Sequence, residues 1–118
     1  MIIRMWSGWT TAEQAAAYEQ LLNTSIAPDI MRRGIGGLQE LAVLRRVPGE
    51  LDPDGTAQFL TLMTFDDWSA VADFAGPDAA SVVPPAARAV LARHDARSQH
   101  YELLHRHQPP PGSAAGPR

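Results

Sequence analysis

The chain predicts an α+β domain in which an antiparallel sheet carries its helices on one face. Three observations point there. Segments with strand-like and helix-like periodicity follow the order strand, helix, strand, strand, helix, strand. A turn-forming stretch around Pro48-Gly49 joins the two middle strands. The length of 118 residues suits one domain with one core. Two βαβ halves in this order make a ferredoxin-like split βαβ sandwich, whose first and last strands are antiparallel neighbours.

Ile2 to Trp9 alternates as a strand does, and Thr10-Thr11-Ala12-Glu13-Gln14 holds two overlapping capping boxes, Thr10 with Glu13 and Thr11 with Gln14. The helix they open keeps Ala15, Tyr18, Leu22 and Ile26 on one face, with Leu21 beside them. Pro28 removes an amide donor and predicts a kink or a restart, and Gly34 after Arg32-Arg33 predicts the C-terminal cap. Strands are expected over Ile35–Val47 and Thr56–Phe65, joined by a hairpin loop from Pro48 to Gly55 in which Asp52 and Asp54 serve the turn. Asp66 is the expected cap of a short helix with Trp68, Val71, Ala72 and Ala75 on one face and Phe74 at its flank, ended by Gly76-Pro77. Pro84-Pro85 opens a further helical turn through Leu91, and the last strand is expected from Arg97 to His105. The domain thus covers 1–107, and the Pro/Gly-rich residues 108–118 read as a disordered tail, because they contain nothing to bury.

Composition removes several function classes. A net charge of -3 offers no cationic footprint for nucleic acid, so no nucleic-acid partner is expected. The absence of cysteine excludes disulfides, thiolate clusters and thiol nucleophiles. No apolar window is long enough to span a bilayer and Arg4, Ser7 and Gly8 break the start of any secretory pattern, so no membrane partner and a cytoplasmic location are expected. His105 and His107 alternate onto one strand face, but two imidazoles fall short of a stable metal site, and no metal is expected. Nucleotide, flavin and serine-hydrolase motifs are missing.

Several short motifs occur in a characteristic order: Arg4-Met5-Trp6-Ser7-Gly8-Trp9-Thr10, Phe59-Leu60-Thr61-Leu62-Met63 with Phe65-Asp66, Phe74-Ala75-Gly76, Val82-Val83-Pro84-Pro85 and His100-Tyr101-Glu102. Over about residues 1–105 they resemble the antibiotic biosynthesis monooxygenase family. The resemblance implies a dimeric α/β barrel, hence a homodimer in which two sheets meet. It also implies oxidation of a polycyclic aromatic or polyketide-type small molecule by molecular oxygen, with no cofactor. The wider superfamily includes polyketide cyclases and haem-degrading enzymes; the latter use an Asn on the first strand, which Ile2–Trp9 lacks. A non-catalytic or stress-related dimeric binding protein is the alternative reading of the same fold.

Such an oxygenase must hold a flat aromatic, accept its proton and stabilise the anion. His100 is the candidate proton acceptor, because imidazole titrates nearest neutral pH, and Arg4 the candidate stabiliser of a phenolate or enolate. Trp6, Phe59, Met63, Trp68 and Phe74 are the candidate substrate-binding residues. Alternation puts Arg4 and Trp6 on one face of the first strand and Met5 and Trp9 on the other, and the Arg4, Trp6 and His100 face is expected to look towards the helices. Trp9 is then a packing or dimer contact. Tyr18 and Tyr101 fit either a core position or a contact to a substrate hydroxyl. Structural readings also exist for His100, as a hydrogen-bonded histidine, for Arg4, as a snorkelling cation, and for Trp68, as core.

Overall fold

The computed structural model describes residues 1–50 and 55–112. Its elements are β1 (Ile2–Thr10), α1 (Ala15–Leu21), a π-helical turn (Leu22–Ile26), α2 (Ala27–Arg32), β2 (Leu38–Arg45), β3 (Ala57–Phe65), α3 (Trp68–Ala75), α4 (Pro85–Val90), β4 (Arg93–His94) and β5 (Gln99–Glu102). The sheet runs β2-β3-β1-β4, with β5 also paired to β1, and every pairing is antiparallel. This is the α+β ferredoxin-like sandwich, with β1 central as the order of elements predicts.

One sheet face meets the helices. Phe59 packs with Tyr18, Leu22, Val83 and Ala87 in one buried cluster, and Ile2, Met63 and Phe65 pack with Ala70 and Val71 in a second. Because strand side chains alternate, Ile3, Met5, Leu60 and Leu62 point to the opposite face, and none of them belongs to either cluster. Trp9 is on that side too, with the Arg93 guanidinium 4.6 Å from its ring centre.

Three local expectations change, while the interruption expected at Pro28 is present. After Leu21 the first helix widens into the π turn and restarts at Ala27, with Pro28 in the first turn of α2. Proline has no N–H for the Thr24 carbonyl and its ring crowds that carbonyl, so the wider turn relieves both problems. Gly34, with φ of 63°, follows the end of α2 as expected. The cap of α3 is Asp67, whose carboxylate accepts the Ala70 amide at 3.0 Å, while Asp66 accepts from Gln39 at 2.7 Å. The buried residues of α3 are Ala70 and Val71, while Ala72 and Trp68 are exposed.

The last strand begins earlier than expected and is split. Asp95 sits in the break between β4 and β5, where its carboxylate accepts the Ser7 amide at 2.9 Å, its own amide donates to the Ser7 carbonyl at 2.9 Å, and its carbonyl accepts the Trp6 indole N–H at 3.0 Å. These bonds replace ladder bonds and let the strand bulge without leaving β1 unpaired. Of the expected hairpin loop, 51–54, including Asp52 and Asp54, lie outside the described residues, as do 113–118 of the expected tail; Gln108–Gly112 are exposed and form neither helix nor strand. Among the described residues no helix is long and apolar enough to cross a membrane.

Candidate functional site

The two core clusters do not close on each other. Between them lies a cavity of about 500 Å³, within the range of small-molecule sites, with Arg4, Trp6, Thr61 and Met63 as its sheet floor. Tyr18, Leu22, Ile26 and Ile30 come from the first helical segment, Phe74 from α3, and Ala80 to Pro84 from the loop before α4. The π turn contributes Leu22, Ser25 and Ile26, so the local widening of the helix borders the cavity.

Arg4 is the charged centre of this floor. It is 5% exposed, and the ion pair present among the described residues, Arg32 with Asp29, does not involve it. Its Nη1 donates to the Ala79 carbonyl at 3.2 Å and to His100 Nε2 at 2.9 Å, and its Nη2 donates to the Ala80 carbonyl at 3.1 Å. Guanidinium has five N–H donors, so these three bonds leave two. Burial lowers the Arg4 pKa, yet a guanidinium starts so high that it stays charged. Its face also lies 5.4 Å from the Phe74 ring centre, and Arg33 lies 4.9 Å from the same ring while donating to the Phe74 carbonyl at 2.8 Å. The cavity thus holds one buried cation satisfied by neutral acceptors only, and its other charged lining residues, Asp29 and Arg33, are exposed.

The Arg4–His100 contact defines the histidine's state. Arginine cannot accept a hydrogen bond, so His100 Nε2 must offer its lone pair and the ring proton resides on Nδ1. Burial first, and the nearby Arg4 charge second, hold the His100 pKa below its usual value, which keeps the ring neutral. On its other side His100 meets Trp68, ring centres 5.0 Å apart.

Trp6 and Tyr18 form the opposite end. The Trp6 ring is held by its bond to Asp95 and by stacking on His94, ring centres 5.4 Å apart, so a flat wall is fixed in place. Tyr18 is 2% exposed and meets Phe59 edge-on at 5.2 Å. Burial pushes its pKa up to about 12, so the phenol remains protonated.

Of the residues singled out from sequence, Arg4, Trp6, Met63 and Phe74 line the cavity together. Phe59 does not: it is closed into the core beneath Tyr18. Trp68, 56% exposed, lies outside the cavity on the flank of His100. His100 is cross-strand partner of Arg4, as the antiparallel neighbour relation allows, but it touches the cavity through Arg4 and does not line it. Sequence reasoning missed Arg33 and the Ala79 and Ala80 carbonyls. The carbonyls left no signal, since their role depends on Ala79 adopting a φ of 51° in a loop.

Among solved structures, the chain is similar to a protein from Deinococcus radiodurans named provisionally as an antibiotic biosynthesis monooxygenase, 17% identical, with a TM-score of 0.57 over 92% of this chain and 97% of that one. It is also similar to an ethyl tert-butyl ether D (EthD) family protein from Bacillus halodurans C-125, 15% identical, with a TM-score of 0.50 over 88% of this chain and all of that one. At these identities the likeness is one of fold, a ferredoxin-like α+β sandwich, the fold that the sequence motifs imply. No family model and no curated protein matches the chain.

Proposed function

We propose that the chain binds a flat, polycyclic aromatic small molecule ionised at a phenol or enol oxygen, and that it oxidises this anion with molecular oxygen. The observation that carries the reading is Arg4, a buried guanidinium in a largely apolar cavity that makes no ion pair with a described residue, the Asp29 carboxylate of the same cavity being paired with Arg32. A buried cation without a counter-ion is costly, and an anionic ligand removes that cost. Such an anion is also the form of an anthrone-like substrate that gives an electron to oxygen. For an anthrone, one oxygen atom of O2 enters the ring CH2 carbon to give the quinone, and the other leaves as water with that carbon's two hydrogens. Arg4 stabilises the anion on the ring oxygen, and Trp6, Met63 and Phe74 exclude water from it.

In this reading His100 is a positioning residue. A neutral imidazole orients the guanidinium by accepting from it, and it leaves the positive charge intact where a carboxylate would cancel it. Because His100 Nε2 is engaged with Arg4, no free base is supplied from that position. This favours substrates acidic enough to ionise on binding, and it favours a second reading, binding without turnover. The sheet face carrying Ile3, Met5, Leu60 and Leu62 is the proposed homodimer interface, since these apolar side chains belong to neither core cluster.

The deciding experiment offers purified protein a panel of anthrones, with no added flavin or metal, and follows oxygen uptake. Uptake that disappears in Arg4→Met supports the oxygenase. Tight binding without uptake overturns it in favour of a binding protein.

A further inference from the structure

We infer that Tyr18 is a specificity-determining residue at the far end of the cavity, and that the ligand carries an oxygen acceptor, a ketone or ether, opposite the acidic oxygen held by Arg4. The inference rests on the aromatic-anion reading above and adds the second polar contact. Tyr18 is 2% exposed and lines the cavity, yet its hydroxyl forms no hydrogen bond with any described residue. No fully buried side-chain oxygen among the described residues lacks a partner, so this hydroxyl, unlike its buried ring, opens onto the cavity where a ligand can reach it. The ring cannot swing the hydroxyl elsewhere, because Phe59 meets it edge-on and both belong to the same buried cluster.

Gly8 supplies an independent observation. Its φ is not positive, so the backbone there does not require glycine. What it provides is space: a Cβ would stand 3.4 Å from the Tyr18 hydroxyl, 3.3 Å from the Trp6 ring and 2.8 Å from Leu91. Without a Cβ, Leu91 and the Trp6 ring close onto the strand directly beside the hydroxyl. Gly8 lies four residues beyond Arg4 on the same face of β1, so the hydroxyl beside Gly8 and the Arg4 guanidinium are separate polar contacts for one ligand in the cavity. The protonated phenol keeps its O–H to donate, which a ketone or ether oxygen of the ligand accepts.

The test compares 6-acetyl-2-naphthoate with 6-isopropyl-2-naphthoate, a pair of similar shape differing in the distal oxygen, by equilibrium dialysis against wild type and Tyr18→Phe. The affinity ratio of acetyl to isopropyl ligand is expected to fall about tenfold in Tyr18→Phe, with the isopropyl ligand bound equally by both proteins. A ratio unchanged within twofold overturns the role of Tyr18 and leaves the aromatic-anion reading standing. Failure of wild type to bind either naphthoate overturns that reading and this inference with it. Should Tyr18→Phe not fold, 3-fluorotyrosine incorporated into the otherwise unaltered chain gives two 19F signals, Tyr18 and Tyr101, distinguished by Tyr101→Phe. The Tyr18 signal is expected to shift differently with the two ligands; identical shifts overturn the inference.

Discussion

The Arg4 guanidinium donates to His100 Nε2 at 2.9 Å across β1 and β5, so that a neutral imidazole, and no carboxylate, orients the buried cation of the cavity. The pair has a titration signature. The His100 pKa lies below 6.5 in the folded protein through burial and then the Arg4 charge. A 13C or 15N NMR titration should show His100 titrating below the usual imidazole value, and Arg4→Met should move it back up. A His100 pKa at or above 6.5 in the wild type would mean that the Nε2 lone pair is not held by Arg4.

The same shift links to stability. A depressed folded-state pKa means that the folded protein binds fewer protons than the unfolded chain, so the contribution is present above pH 6.5 and is lost as pH falls through the folded value. His100→Gln preserves an acceptor for Arg4 and cannot titrate. Its urea midpoint should fall less than that of wild type between pH 7.5 and pH 5, and parallel losses would remove His100 from the acid response.

Replacing Arg4 by Met keeps the volume and removes the charge. Affinity for 2-naphthoate should drop about 10- to 100-fold, the range for a charged hydrogen bond, while 2-naphthamide should be affected little. An equal loss for both ligands would show that Arg4 shapes the cavity without recognising charge.

Trp68→Ala, by contrast, removes an exposed ring that does not line the cavity. Naphthoate affinity within twofold of wild type is the expected dialysis result. A tenfold loss would place Trp68 in the binding surface after all.

Gly37 has a φ of 84°, and a Cβ there would lie 2.7 Å from the Ala70 Cβ on the buried face of α3. Gly37→Ala therefore combines left-handed backbone strain with a clash that no flexible side chain can relieve, and should cost about 2–4 kcal/mol in urea unfolding. Gly36, with no atom within 4 Å of a built Cβ, is the matched control and should tolerate alanine.

On the open sheet face, Leu62 stands between Met5 and Ala42 in adjacent strands. Light scattering should show wild type as a dimer and Leu62→Glu as a monomer with the secondary structure retained, because the carboxylate would be buried unpaired at the interface. A wild-type monomer at micromolar concentration would rule out the proposed interface.

Local chemistry determined much of this molecule. The period of two in Ile2–Trp9 already put Arg4 and Trp6 on one face, Gly34 and Gly76 marked the helix ends, and the order of elements sufficed for the ferredoxin-like sheet, since each signal depends on neighbours a few residues away. The tertiary structure decided what those side chains meet. Packing of α3 through Ala70 and Val71 left Trp68 outward, and Phe59 went to the core while Met63, four residues on along the same strand face, reached the cavity. Arg4 acquired the carbonyls of Ala79 and Ala80 and the lone pair of His100 from segments 75 or more residues away. Periodicity assigns a side chain to a face, but only packing between distant segments selects its partner and decides whether that face closes into core or leaves a cavity.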